Sequence, residues 1–578
     1  MEASRSKILK GIRQLKPDTL VFLLLAAWWI VNLLQAAFTG LANDEAYYWY
    51  YARNLDWGYF DHPPMVALLV WLSSFLPGTL GIRFFSTLLQ PLYLLIFWHL
   101  IKPSDATRRD AMLYVLLCFS LPLLQLYGFL AVPDAPLMMF TVVFLWAFKR
   151  FDSKTTLANA LLLGLSAALL GYSKYHGALV VLLVLLARPR LFARWQLYVA
   201  GLTALLLMAP HLWWQYSHDW VSLRYHLAGR NAWSYNISYT LEYLGILLLL
   251  INPLWLCHLW RGIRRPADGE DPLMRRGALL LCMGFWGFFL LATVRGRVQP
   301  QWLLPTTLPV VALVFHAARR SRYAYTAAIV CAVLFCAVRI VAAANPLHLK
   351  GELWEGEEPY RKIAELADGR PVQFIGCYAA AAKYAYYTGN PTHCTSYYYA
   401  RSSQWQYDTA DRTFAGREVL VADFGNISGE ELDIGNGTLH YLIVKDFIPM
   451  RELRVENLKP LDLRLTGGQT DIVLPLAVTN PYPYDICPGE ERPIKVALFF
   501  QWGQNTSAEA SALLTDTLRA NSTTVITPRL PFHPAIPDGE QACGFVIGYI
   551  AYAPAANGRL GKATVEHDGG DIIIHSNL

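Results

Sequence analysis

The chain has 578 residues, of which 54% are hydrophobic and only 16% charged. That balance excludes an ordinary soluble domain and a disordered chain, and it fits a polytopic membrane protein. The formal net charge of +6 averages two unlike parts, because residues 1–344 carry the basic excess and residues 345–578 are acidic. Basic charge on the apolar part sets topology rather than attracting nucleic acid.

The chain opens with "MEASRSKILKGIRQLKPD", basic and without a small-residue cleavage site, which reads as a cytoplasmic anchor. A membrane-crossing helix needs about 20 apolar residues. Segments near that length occur at about 19–39, 81–101, 111–131, 135–149, 157–173, 176–187, 196–214, 239–260, 277–294, 300–317 and 323–344. The pattern predicts roughly eleven spans. With the amino terminus inside, the cytoplasmic loops "KPSDATRR", "KRFDSK", "RPRLFARW", "RGIRRPADGEDPLMRR" and "ARRSR" are all rich in Lys and Arg, as the positive-inside tendency requires. The opposite set holds residues 40–64, "VPDAP", "YSKYHG", 215–238 and "RGRVQPQ", and an odd number of spans puts residues 345–578 outside.

After residue 345 the sequence changes character. "EPYRKIAELADG" reads as an amphipathic helix, and "PVQFIGCY", "EVLVADF", "LHYLIVKDF", "DIVLPLAVT", "IKVALFFQW" and "CGFVIGYIAY" read as short strands punctuated by Gly, Pro, Asn and Asp. The predicted organisation is a transmembrane domain over 1–344, an α/β part over 345–450 and a β-sandwich-like part over 451–578. Five cysteines lie in apolar segments as small core residues. Cys377, Cys394, Cys487 and Cys543 lie in the outer region, where two disulfides are permitted with three possible connectivities. No CxxC spacing or Gly-rich nucleotide loop occurs.

Polar chemistry gathers on the outer side. In "NDEAYYWYYARNL" a helix places Asp44 and Tyr48 along one side, with Asn43 as a cap and two acids at the positive helix end. An acid close to the lipid headgroups suits a general base for an alcohol or phosphate acceptor. The run Tyr47–Tyr51 reads first as an interfacial belt and second as flat faces for sugar rings. Asp134 begins a span, where capping competes with a catalytic role. Lys174 and His176, in a tight outer hairpin, run against the positive-inside bias, as do Arg295 and Arg297, and an anionic partner is expected there. His62 with Asp61, Asp44 or Asp134 gives a weak metal-binding pattern. Trp405, Tyr397–Tyr399 and Trp502 read as buried or strand-surface aromatics, with acceptor contact as the alternative.

Taken in order, "NDEAYYWYYARNL", "YFDHPPMVALL", "VPDAPLMMF", "YSKYHGAL" and "VQPQWLLP" resemble the GT-C superfamily of integral-membrane glycosyltransferases over about residues 20–320. The resemblance is nearest to the bacterial protein-mannosyltransferase-like group that includes the aminoarabinose transferase of lipid A. It implies a multi-pass, monomeric enzyme of the bacterial inner membrane whose C-terminal domain is periplasmic or extracellular. Such an enzyme moves a sugar from a polyprenyl-phosphate donor to a lipid A-like lipid, a polysaccharide or a protein, with inversion and without a nucleotide. Asp44 then matches the catalytic base, Glu45 its acidic neighbour that orients the acceptor, and Asp134 a second acid. Lys174, His176, Arg295, Arg297 and His62 suit the donor phosphate. A divalent ion (Zn, Mg or Mn) is implied at Asp61 and Asp134, yet the family's Glu-Lys-Pro-Pro element stands here as Asp61-His62-Pro63-Pro64, which weakens that transfer. The competing readings are a transporter or flippase of a lipid-linked saccharide and a non-catalytic glycan-binding membrane protein. A transporter needs charges near the middle of spans, whereas these lie at outer ends.

Overall fold

The computed structural model describes residues 15–229 and 235–576, apart from 399, 426, 428, 467–470, 490–492, 503–506, 532–535, 552–556, 559–560 and 570. Tyr399 and the expected anchor as far as residue 14 lie outside the described residues. The chain divides into two compact units at Trp354/Glu355, ten residues beyond the expected boundary. The reason is local. Residues 352–354 strap back onto the first unit: the Gly40 amide donates to the Leu353 carbonyl (2.8 Å), the Asn43 amide to Glu352 Oε2 (2.7 Å), and Trp354 Nε1 to the Ala342 carbonyl (2.8 Å).

The first unit is a bundle of α1 (Pro17–Phe38), α2 (Asn43–Arg53), α3 (Met65–Ser73), α4 (Leu80–Ile101), α5 (Arg108–Phe119), α6 (Pro122–Leu126), α7 (Asp134–Ser153), α8 (Leu157–Ser173), α9 (Gly177–Leu186), α10 (Trp195–Ser217), α11 (Val221–Arg224), α12 (Ile237–Ile251), α13 (Leu256–Arg264), α14 (Pro272–Ala292), α15 (Thr307–Ala318) and α16 (Arg322–Ala344). Among the described residues, six helical segments are long and apolar enough to cross a bilayer: α1, α4, α10, α14, Pro300–Ala318 and α16. The pair Ile237–Ile251 and Pro253–Arg264, bent by 68°, makes a seventh if counted as one span. The expected segments at 135–149, 157–173 and 176–187 are helices too, but short or flanked by charge. Besides the bent 239–260 segment, 111–131 is broken: α5 ends at Phe119, and Pro122, which cannot donate to a continuing ladder, starts α6 afresh. Pro300–Ala318 is the innermost span, 83% buried, whereas α10 and α16 bury only 22% and present Leu, Val, Trp and Tyr outward as a lipid-facing surface does.

The second unit begins with α17 (Glu358–Ala367) and a five-stranded sheet of β1 (Val372–Ile375), β2 (Thr392–Thr395), β3 (Val419–Asp423), β4 (Glu430–Asp433) and β5 (Thr438–Val444), in the order β2-β1-β3-β5-β4. β1 runs parallel to β2 and β3, and α18 (Tyr378–Thr388) makes the crossover that parallel pairing requires. From Arg454 onward all the sheets are antiparallel. A six-stranded sheet includes Ile494–Gln501 paired with Gly539–Tyr549, and a three-stranded one is centred on Leu476–Asn480. The expected helix and all six expected strand runs are present. Among the described residues no disulfide joins the four outer cysteines. Cys377 donates to Asp423 (3.4 Å), and Cys543 is buried beside Ser576 (3.8 Å). Trp405 and Tyr397 are buried, Tyr398 packs on Phe499 and Trp502 on the sandwich core, as the structural reading of these aromatics expects.

Candidate active site

α2 starts one residue earlier than a cap at Asn43 predicts. Ala42 is the N-cap, and its amide donates to Glu45 Oε2 at 3.1 Å. Consecutive helical side chains diverge by about 100°, so the two acids part company. Asp44 is exposed, while Glu45 is fully buried. Glu45 meets Arg83 of α4 edge-on: Arg83 Nε donates to Oε1 (2.8 Å) and Nη2 to Oε2 (2.5 Å), and the Ala131 amide adds a third bond to Oε1 (2.8 Å). The remaining Arg83 hydrogens cap the end of α1, donating to the carbonyls of Ala36 (2.8 Å), Thr39 (2.9 Å) and Gly40 (2.6 Å). Expected beside the acceptor, Glu45 is instead a buried clamp that fixes the position of Asp44.

Asp134, at the start of α7, caps nothing. Both its oxygens accept from Lys174 Nζ, at 2.8 and 2.7 Å, and both side chains are buried. The carboxylates of Asp44, Asp134 and Glu352 all lie within Coulombic reach of the Tyr127 hydroxyl, which donates to Gln301 Oε1 (3.2 Å). The "NDE", "PDAP", "SKYH" and "QPQW" motifs therefore converge on one end of the bundle.

The aromatic run is not a belt. Tyr47, Tyr48, Tyr50 and Tyr51 are buried, and Trp49 is half-buried under Arg53. Tyr48 stands edge-on to Tyr51 and to His62 (5.5 Å). Tyr51 Oη donates to Asp61 (2.6 Å), and burial with the Asp61 charge raises the Tyr51 phenol well above its ordinary pKa. Residues 56–61 are bound to the end of α10 and the turn after it. Trp214 Nε1 donates to Asp56 (2.8 Å), His211 Nδ1 to the Trp57 carbonyl (2.7 Å), Ser222 Oγ to the Tyr59 carbonyl (2.8 Å) and His226 Nε2 to the Asp61 carbonyl (2.8 Å). His62 faces His226 at 6.2 Å.

The other expected phosphate ligands are distributed differently. His176 is packed against Phe289 (5.3 Å) and Trp302 (5.9 Å), an apolar setting. Arg295 is exposed, and Arg297 pairs with Glu242 (3.2 Å) while lying over Tyr239. Arg297 thus engages α12 rather than the Asp134–Lys174 pair. A metal fits poorly: Asp134 gives both oxygens to Lys174, Asp61 accepts from Tyr51, and among the described residues no three His, Cys, Asp or Glu side chains form a metal-holding group. Sequence reasoning missed Arg83 and Arg339, lone charges inside apolar spans, and that oddity was the available signal.

Residues 61–214 match the family described as dolichyl-phosphate-mannose-protein mannosyltransferase, a segment that includes Asp134 and Lys174 and starts after Asp44. The lipid A galacturonosyltransferase RgtD of Rhizobium johnstonii is 26% identical over 266 residues, covering 43% of this chain and 54% of that protein. The lipopolysaccharide core galacturonosyltransferase RgtA of the same organism is 28% identical over 207 residues, 33% of this chain and 41% of that one. The chain thus spans about half the length of the curated relatives it matches. Among solved structures, ArnT from Cupriavidus metallidurans bound to undecaprenyl phosphate superimposes with a TM-score of 0.52 at 13% identity, covering 74% of this chain and 99% of that one. Its apo form gives 0.51 at 12% identity, with 72% and 97% covered.

Proposed function

We propose that this membrane protein of the GT-C fold is an inverting glycosyltransferase that moves a sugar from a polyprenyl-phosphate carrier to a lipid A-like acceptor at the outer face of the bacterial inner membrane. The observation that carries the reading is an exposed Asp44 beside a buried Glu45–Arg83 clamp, which is tied through the Ala131 amide to the segment that leads into the buried Asp134–Lys174 pair. The names of the relatives point to galacturonic acid as the sugar and to lipid A or the lipopolysaccharide core as acceptor. The ArnT complex supports undecaprenyl phosphate as the carrier.

In this reading Asp44 takes the acceptor hydroxyl proton as that oxygen attacks the anomeric carbon, and a single displacement inverts its configuration. The helix start that carries Asp44 is fixed by the Glu45–Arg83 clamp and the Asn43–Glu352 bond, so little backbone orientation is lost in reaching the reactive geometry. The departing lipid phosphate is already a weak base and needs charge stabilisation more than protonation. Lys174, fixed by Asp134, supplies a cation in place before the reaction begins, and Arg295 and Arg297 stand at the neighbouring loop. The carrier provides the activated sugar, so no nucleotide is required. No step is routed through a metal.

The test is mass spectrometry of envelope lipids and glycans from cells with and without the protein. Loss of a hexuronic acid from lipid A or core supports the reading, and an unchanged profile overturns it. A reconstituted Asp44→Asn protein that folds and transfers sugar at the parental rate overturns the base assignment.

A further inference from the structure

We propose that Arg339 is an oxyanion site at the lipid edge of the bundle, separate from Asp44, which takes the phosphate of a membrane lipid side-on. α16 is a peripheral span, and between Val333 and Ala344 its one buried side chain is Arg339, 8% exposed among lipid-facing Val333, Leu334, Ile340 and Val341. Its Nη1 donates to Asn32 Oδ1 (2.9 Å) and Gln125 Oε1 (3.1 Å). Those amides are locked with their oxygens toward the arginine, because their nitrogens donate elsewhere: Asn32 to Gln90 (2.6 Å), Gln125 to the Phe119 carbonyl (2.5 Å).

The opposite edge, Nε with Nη2, is buried, and among the described residues it has no hydrogen-bond acceptor and no carboxylate acts on the group. That edge is the bidentate fork that matches a carboxylate or phosphate. Arg83 provides the internal comparison. The two guanidinium groups lie 5.8 and 5.7 Å from the Phe129 ring, and Arg83 has this same edge filled by Glu45. A guanidinium keeps its proton, so an unfilled buried fork in an apolar span is costly unless an anion completes it.

Position selects the anion. Arg339 stands five residues before the end of α16, about 7.5 Å along the axis, at the end of the bundle that holds α2. A lipid phosphate reaches that depth from the bilayer between α16 and α1. A phosphodiester phospholipid and a polyprenyl monophosphate share this chemistry.

The experiment uses the full chain in detergent. Native mass spectrometry follows binding of phosphatidylglycerol, undecaprenyl phosphate and uncharged diacylglycerol to wild type, Arg339→Met and Arg339→Lys. Both variants are expected to lose roughly tenfold in affinity for a phosphate lipid, equivalent to about 1.4 kcal/mol, with diacylglycerol unaffected. The lysine fails because it keeps the charge without the fork. Whichever phosphate lipid shows the Arg339-dependent binding names the source. Equal affinities in wild type and both variants overturn the proposal. Should the variants not fold, cryo-electron microscopy of the wild type in nanodiscs decides: phosphate density within hydrogen-bond distance of Nε and Nη2 supports the site, and water alone refutes it.

Discussion

Asp44 and Glu45 are chemically near-identical neighbours with opposite fates, and helix geometry rather than residue type separates them. Asp44→Asn removes the proposed base, an exposed side chain. Transfer is expected to fall by about 10²–10⁴-fold with an unchanged melting temperature, as measured by turnover of a radiolabelled lipid-linked sugar. Glu45→Gln breaks a pair with no exposed surface on either side chain, so the expected loss is stability, about 3–5 kcal/mol, read by thermal unfolding. A Glu45→Gln protein as stable as wild type would refute the clamp. Asp44, Asp134 and Lys174 were legible in the sequence because polar side chains stood at span ends in recognisable motifs. The division of labour within "DE" was not, since it depends on an arginine 38 positions further on that reaches back across the bundle.

At the scale of elements, the apolar segments gave their helices nearly one for one, because length and hydropathy decide what a bilayer accepts. Aromatic burial was misread. Tyr residues at a membrane boundary look alike whether they face headgroups or, as here, pack on Tyr51, Tyr59 and His62. The strap of residues 56–61 shows how tightly the loop is seated. A Cβ at Gly58 would come within 2.5 Å of the Trp214 ring. Gly58→Ala is therefore expected to lift the strap and lower kcat/KM by between about tenfold and hundredfold, measured with the same transfer assay. Unaltered kinetics would show that the loop need not be held there.

The second unit has its own core, in which Ile375, Val419 and Val421 of the five-stranded sheet join Val496, Leu498 and Phe545 of the sandwich. The sequence marked its strands correctly but not the buried polar residues that lie among them. His393 is one: burial lowers its pKa to about 4, and its Nε2 is held by the Trp405 carbonyl (3.0 Å). An unfolded histidine titrates near 6.5, so below that pH the unfolded chain binds a proton that the folded unit refuses. The contribution to stability is complete above about 6.5 and disappears as pH falls towards 4. Thermal unfolding of the full chain from pH 7.5 to 4.5 is expected to show a falling transition for this unit, and His393→Gln to flatten it. A pH-independent transition in the wild type would refute the assignment.

The Arg83 clamp also constrains biogenesis. Arg83 takes its acceptors from the end of α1 and from α2, and Glu45 takes a third donor from the segment before α7, so the Glu45 half is completed only when the nascent chain has reached about residue 131. While α4 is being handed to the membrane, its arginine is a charge that Glu45 is placed to neutralise. Insertion of the second long span is thereby coupled to correct placement of the helix that carries Asp44. A ribosome stalled before Ala131 should leave an inserted but incompetent intermediate, and competence should arrive late, in one step, rather than accumulate span by span.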